Sequence, residues 1–522
     1  MPPGHVLTAD LATIWRQPDR KGFVRMIGWG DPVEVLSVTD RHVEVRIWDF
    51  EPQPDGSERP VPASGFIVPP RSPRTNPADL VVPLAGNTVL RVDFVDVQQG
   101  DGAMIQTPSG RVILVDGGDN QLFARYLAGQ LRGTSDQRPF APEAIVITHG
   151  DADHFSGLTE IRKSERHGTR WKRLFLAPKR VFHNGLVKRP TTHPDGRRRR
   201  EIEMLGDVTE LDGERIITDL ADDIRTVPDT ELNRPFKAWK ETLEHWAARA
   251  PIEMKRVSRG DRPFDFLDDE AIDVEVLGPI LSDVDGTPGL RFLGKPPPGP
   301  RLDVESMRSG ATFTGTSASH TINGHSIILR LTYGDVRFLL TGDLNEEASG
   351  SLLAAAAGAP LTAEVFKAPH HGSADFDPRF LAAVSPVVSV VSSGDENALK
   401  EYIHPRATLV GALGRHSRVA EPLVFVTELV AFFETKGWTT PEIHAVGADK
   451  VPLMRNGLPV FLAGKRPPPY FGFSRKAFGL VRVRTDGHRL LVYTDSGQAD
   501  LKEAYAYQVN AGVATPSAVR RA

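Results

Sequence analysis

Apolar residues fall along this chain in two kinds of run. Near the start they alternate with polar ones: Val33 to Val38 and Val43 to Trp48, separated by Thr39 to His42, read as a hairpin whose apolar face suits a small barrel of SH3-like flavour. Alternation returns over Val89 to Val97 and Ala103 to Gln106, with turns at Gln99 to Gly102 and Pro108 to Gly110. Farther on the runs become short and continuous: Val112 to Val115, Ile145 to Ile147, Glu364 to Ala368, and "VVSVVSS" from Val387. Such runs fill strands buried on both faces, which predicts parallel strands covered by helices.

Helical spacing is clearest in three places. Leu122, Phe123, Tyr126, Leu127 and Leu131 share a face; "ELNRPFKAWKETLEHWAARA" carries a second helix; and "EPLVFVTELVAFFETKG" predicts a third, with Pro422 in its first turn and Gly437 at its stop. "HSIILRLTYGDVRFLLTGDLN" reads as two strands joined at Tyr333 to Asp335, and "FGLVRVRTDGHRLLVYTD" as a strand pair around Asp486 and Gly487. Pro60 to Pro83 is rich in Pro, Ser and Arg and predicts a linker.

Composition narrows the chemistry. The 522 residues exceed one ordinary core, and a hydrophobic fraction of 40% with 25% charged residues is that of a soluble globular protein. No cysteine is present, so thiolate metal sites, disulfides and cysteine nucleophiles are excluded together, and any metal ligand must be His, Asp or Glu. The first residues lack the pattern of a secretion signal and no run approaches bilayer length, which predicts a cytoplasmic protein with no membrane contact. The net charge of -4 gives no global nucleic-acid footprint. Between Arg162 and Arg200, however, fourteen Lys and Arg face only Glu165 and Asp195, and "GRRRRE" (Arg197, Arg198, Arg199, Arg200) is either a solvated loop or a phosphate grip.

Four apolar strands end in the same way, with Asp or His at the tip: Asp116, the cluster "THGDADHFSGL" with His149, Asp151, Asp153 and His154, then Asp343, then His370 and His371. In an extended segment His149 and Asp151 leave one face, while the adjacent Asp153 and His154 splay toward a second centre. The helix or loop after the cluster is expected to open at Phe155.

At these residues the chain resembles the metallo-β-lactamase fold hydrolases, most closely the soluble hydrolase domain of ComEC-type DNA-internalisation proteins. "DVQQGDGAMIQTPSGRVILVDGG" is similar to that group's opening motif, "THGDADHFSGL" to its ligand loop, "NGHSIILRLTYGDVRFLLTGD" to its bridging-aspartate strand, "FKAPHHGS" to its later histidine motif, and "SSGDENALKEYIHPRA" to its closing motif. The resemblance implies an αββα sandwich with two divalent ions, zinc or manganese, at one edge. His149 and Asp151 would hold one ion, Asp153 and His154 the other, and Asp343 would bridge them. One of His370 or His371 would complete the second site, His370 being favoured as the first after its strand. Asp116 would anchor the ligand loop, Asp153 would orient the attacking water, and His404 would contact the leaving or transferred group. A further histidine common in the family has no counterpart here, since His183 and His193 match no motif, and Gln98 stands where the family places glycine.

The organisation expected is an N-terminal β-rich segment and linker over 1–82 and the hydrolase domain over 83–515, with an insertion at about 180–310 and a C-terminal extension at about 420–515. Two ions sharing a carboxylate can activate water and neutralise a phosphoryl oxygen, so a phosphodiesterase, specifically a nuclease holding its substrate backbone with the basic segment, is the leading expectation. A hydrolase of small phosphoesters, esters or lactams, and a non-catalytic nucleic-acid-binding or scaffold protein, are the alternatives.

Overall fold

The computed structural model describes residues 4–54, 58–70, 75–295, 314–356, 360–394, 404–428, 454–455, 458–459, 479–495 and 503–522. Two sheets face each other. The larger has ten strands in the order Glu253–Arg256, Arg180–His183, Ala144–Val146, Val112–Asp116, Gly102–Gln106, Leu90–Phe94, Leu480–Thr485, Arg489–Asp495, Ala504–Asn510 and Val513–Ser517. The second has six: Ile272–Gly278, Ile328–Tyr333, Val336–Leu340, Val365–Lys367, Val388–Val391 and Leu423–Val426.

The continuous apolar runs follow from this double cover. Ile113 and Val115 point into the core between the sheets, where Phe338, Leu340, Val388 and Val390 meet them. Their neighbours Val112 and Leu114 point outward and pack with Phe123, Leu127, Phe155 and Leu158 from the helices Leu122–Gln130 and Ala152–Ser164. On the far side Leu339, Phe366 and Val391 meet the helices Glu346–Ala356, Pro378–Val384 and Ala407–His416. Period-two alternation thus sends every second side chain to a different core, and both cores are apolar. The result is a helix-sheet-sheet-helix sandwich.

Three expectations change. Leu423–Val426, expected as the start of a helix, is an edge strand parallel to Val388–Val391, because pairing with that strand satisfies its backbone and its β-branched valines suit a pleat. Residues 429–437 of that expected helix lie outside the described residues. The linker expected over Pro60 to Pro83 contains the ten-residue strand Glu58–Ile67, paired along its whole length with Val43–Pro52. Its prolines are tolerated because the opposite edge of this strand is paired only at Phe66 and Ile67. Within the expected insertion, Arg180–His183, Glu253–Arg256 and Ile272–Gly278 are strands of the two main sheets. The added layer there is a four-stranded sheet of Val208–Leu211, Glu214–Ile217, Thr287–Arg291 and Ser282–Val284.

The N-terminal segment, whose five-stranded sheet runs Phe23–Gly28, Leu11–Trp15, Glu58–Ile67, Val43–Pro52 and Val35–Val38, is joined to the large sheet by buried charge. Arg484, fully buried, donates to Asp93 Oδ1 (2.7 Å) and to Asp31 Oδ1 (3.3 Å), and Arg91 reaches the same Asp31 oxygen at 3.4 Å. Asp10 takes Arg489 and Arg520 on its two oxygens. Burial favours the neutral form of Asp93, but Arg484 and Arg482 outweigh it and hold the carboxyl well below its usual range. Removing one member leaves an unpaired buried charge, so Arg484→Met is expected to cost about 3–5 kcal/mol. Denaturant unfolding checks this, and an unchanged midpoint would show that the network is idle.

Candidate metal centre

The four polar strand ends meet at one edge of the sandwich. Val112–Asp116 ends in Asp116; Ala144–Val146 runs into Thr148 and His149; Val336–Leu340 leads to Asp343, and Val365–Lys367 to His370 and His371. The helix Ala152–Ser164 starts three residues earlier than expected, which places Asp153 and His154 in its first turn. Strain gathers here: Asp116, His370 and His371 hold φ of 56°, 51° and 50°. Each such residue costs on the order of 1–3 kcal/mol that the surrounding packing must offset.

Three imidazoles aim Nε2 at one carboxylate. His154 Nε2 lies 3.3 Å from Asp343 Oδ1, His371 Nε2 3.2 Å from Asp343 Oδ2, and His149 Nε2 3.9 Å from the same oxygen. These three nitrogens and Asp343 Oδ1 are buried without a hydrogen bond. Leaving each so costs about 1–3 kcal/mol, and a divalent cation among them would satisfy all four together. Asp101, His154, Asp343 and His371 offer ligand atoms within 4.8 Å of one another. The donor set, imidazole nitrogens with carboxylate oxygens, fits a divalent metal ion.

Each ring is held from behind. His154 Nδ1 contacts Asp116 Oδ2 at 2.9 Å, and Asp116 also accepts from the Thr148 amide (2.8 Å) and hydroxyl (2.7 Å). His371 Nδ1 faces the Ser392 carbonyl at 3.2 Å and Asp101 Oδ1 at 3.3 Å; His149 Nδ1 faces the hydroxyls of Ser326 and Thr148, both at 3.3 Å. A proton kept on Nδ1 by such acceptors leaves the Nε2 lone pair for a metal. Burial opposes charge on His154, but Asp343 and Asp116 outweigh it and raise the ring well above its ordinary value; Asp343 and Asp101 do the same for His371. Protons and a cation therefore compete for the same nitrogens, and loading a metal releases protons.

The remaining site residues divide. Asp153 Oδ2 lies 3.4 Å from His371 Nε2 and accepts from Gln99 Nε2 at 3.0 Å, beside the cluster. Asp151 stands apart: Lys188 Nζ sits 2.7 Å from its Oδ1, and in the orientation that satisfies both amide atoms Asn323 donates to its Oδ2 at 3.0 Å. In that orientation Asn323 also accepts from His370 Nε2 at 3.2 Å, leaving His370 with no Nε2 lone pair toward Asp343. Of the two adjacent histidines the favoured one was His370, but the nearer is His371: its Nε2 is 3.2 Å from Asp343, whereas His370 Nε2 stands 3.9 Å away and is engaged by Asn323. His404 is buried with its ring 6.0 Å from that of His370, and burial together with His370 pushes it down to about 3, so it is neutral at physiological pH.

Among the four arginines, Arg199 is buried against Glu231, and Arg197 and Arg200 both bond Glu203. No further imidazole among the described residues joins the cluster. His320 faces Asp375 and Glu347, His325 donates to the Arg291 carbonyl, and His183 donates to the Asp222 carbonyl while accepting from the Gly185 amide.

Sequence reasoning passed over Asp101, Lys367 and Asn323. Asp101 was read as a turn residue, yet its flanking glycine carried a signal: Gly100 has φ of 106°, and a Cβ there would sit 1.9 Å from the Asp153 carbonyl oxygen. The turn is glycine because it lies flush against the ligand loop, which brings Asp101 onto Lys367 and His371. Gln98, standing where glycine is usual, does hold a left-handed φ of 62°.

Residues 95–231 match the model of the metallo-beta-lactamase superfamily. The chain carries a metallo-β-lactamase superfamily domain. Among curated proteins it is 38% identical over 95 residues to competence protein ComA of Neisseria gonorrhoeae, a match covering 18% of this chain and 13% of that one. It is 30% identical over 96 residues to ComE operon protein 3 of Bacillus subtilis (strain 168), covering 18% and 12%. The matched stretch is thus a small part of either relative. A crystal structure of a metal-dependent hydrolase of the beta-lactamase superfamily aligns at 12% identity with a TM-score of 0.30, covering 66% of this chain and 96% of that one. Among the described residues no helix is long and apolar enough to cross a membrane.

Asp116→Asn keeps the shape but weakens the grip on His154, and should lower metal affinity about 10–100-fold, as measured by competition with a chelating dye. Acid stability provides a separate check. Burial pushes His183 and His325 down to about 4, while unfolded each would titrate near 6.5. Unfolding therefore takes up protons as pH falls below about 6.5, so this stability is complete above that value and lost on the way to about 4. Thermal melts from pH 7 to 4.5 should show the fall, reduced in His325→Gln; a slope identical in both proteins would remove His325 from the account.

Proposed function

We propose that this chain is a metal-dependent phosphodiesterase, with polynucleotide as the substrate class. The observation that carries the reading is where the basic segment meets the centre. Lys188 lies 2.7 Å from Asp151 at the rim of the centre, and from Lys188 and Arg189 the chain runs on to Arg197–Arg200. Arg166, Arg170 and Arg198 are exposed and have no acidic partner among the described residues. Exposed cations of this kind, two of them beyond the far end of the helix that carries Asp153 and His154, suit an extended anionic backbone.

A divalent ion held by His154, His371 and Asp343 would supply positive charge to a phosphoryl oxygen and make a water acidic enough to attack. The chain's own residues do the rest. Asp116 and Asp101 keep the rings of His154 and His371 turned inward. Asp153 is opposed by burial but held ionised by His371 and His154, far below the usual carboxylate range, so it accepts a hydrogen bond and orients a water without removing its proton. His404, neutral and buried, is suited to a hydrogen bond to the transferred or leaving group.

One observation favours the small-substrate alternative: Glu203 and Glu231 already neutralise Arg197, Arg199 and Arg200. The two readings part on a panel of single- and double-stranded DNA, RNA and a chromogenic phosphodiester. Asp343→Ala should drop hydrolysis to background in a folded protein. Changing Arg170 and Arg198 to Gln should weaken polynucleotide binding and flatten its salt dependence by about two phosphate contacts, with the small diester unaffected. Equal losses on both substrates would refute the polynucleotide reading, and full activity in Asp343→Ala would refute the centre itself.

A further inference from the structure

We infer that the centre takes one tightly held divalent ion, and that Lys188 keeps the second position of the fold's usual pair from filling. This rests on the hydrolase reading above and departs from the two-ion expectation. One side of Asp343 is a complete donor set, with His154 and His371 at 3.3 and 3.2 Å and Asp153 at 3.4 Å from His371 Nε2. The other side has been used up. Among the described residues His149 is the one imidazole with a free, buried Nε2 there, and it stands 3.9 Å from Asp343. Asp151 has both oxygens occupied, by Lys188 and Asn323, and His370 spends Nε2 on Asn323.

Lys188 is fixed in this role. Its backbone carbonyl accepts from the Asn233 amide at 3.1 Å, tying it to the residue that caps the helix Arg234–Ala247. Its side chain and that of Asp151 are each only 23% exposed, so their attraction is little screened. A dication on Asp151 would have to displace an ammonium already paired there, with only one neutral nitrogen and a shared carboxylate added in return. The lysine thus supplies at the second position a fixed positive charge that the usual fold draws from metal.

Metal-free protein titrated with manganese tests this, counting ions by mass spectrometry after gel filtration and reading their coupling by electron paramagnetic resonance. The wild type and Lys188→Arg should each retain one ion per chain with an uncoupled signal. Lys188→Met, shown folded by circular dichroism, should retain two with the broadened signal of a coupled pair. Asp151→Asn should hold its single ion within about threefold of wild-type affinity. Two ions in the wild type, one ion in folded Lys188→Met, or a loss of tenfold or more in Asp151→Asn would each overturn the inference and leave the hydrolase reading standing. No retained ion in the wild type would overturn both.

Discussion

The centre depends on one carboxylate buried where three imidazoles point. Asp343 cannot stay ionised in an apolar interior unless charge of opposite sign reaches it, and among the described residues no ammonium or guanidinium pairs with it. His149, His154 and His371 surround it with Nε2 atoms that hydrogen-bond to nothing. Two chains of support, Asp116 behind His154 and Asp101 behind His371, fix which way those rings face. The sandwich brings two halves together: Asp101, Asp116, His149 and His154 come from the strand ends and following helix of the ten-stranded sheet, Asp343 and His371 from the strand ends of the six-stranded one. Packing of Ile113 and Val115 against Phe338 and Leu340 sets the separation between them.

Much of this was readable in the sequence for a simple reason. Strands buried on both faces must be continuously apolar, so Val112–Val115 and Ile145–Ile147 announced themselves, and a polar residue at the end of such a strand has nowhere to go but the crevice beyond it. The order of strands and ligand positions therefore needed no knowledge of pairing. Which of two adjacent histidines enters the cluster did need it. His370 and His371 differ by one residue in a turn where both hold positive φ, and that backbone conformation is invisible in the letters. The strand at Leu423–Val426 was misread for a related reason: its helical spacing was genuine, but the partner strand Val388–Val391 decides, and pairing is non-local.

Composition misled where it averaged over partners. Between Arg162 and Arg200 cations dominate the count, yet Glu203 and Glu231, just outside or far beyond that window, take three of the four consecutive arginines. A charge run says how much charge is present, not how much is free. Among the described residues the cations of this window left without acid are Arg166, Arg170, Lys172, Arg173 and Arg198, and the one that reaches the centre, Lys188, lies in a stretch that carries no motif at all.

Charge balance connects these observations. Asp101, Asp116, Asp151, Asp153 and Asp343 crowd one edge, three of them (Asp101, Asp116 and Asp343) buried, and carboxylates so placed repel more strongly than at an open surface. Two lysines relieve this from opposite sides: Lys367, buried, pairs with Asp101, and Lys188 pairs with Asp151. Asp116 is satisfied instead by hydrogen bonds from the two Thr148 donors and the ring of His154. That leaves Asp153 and Asp343, two negative charges beside the inward-facing nitrogens, and it is these that a dication among the nitrogens would neutralise.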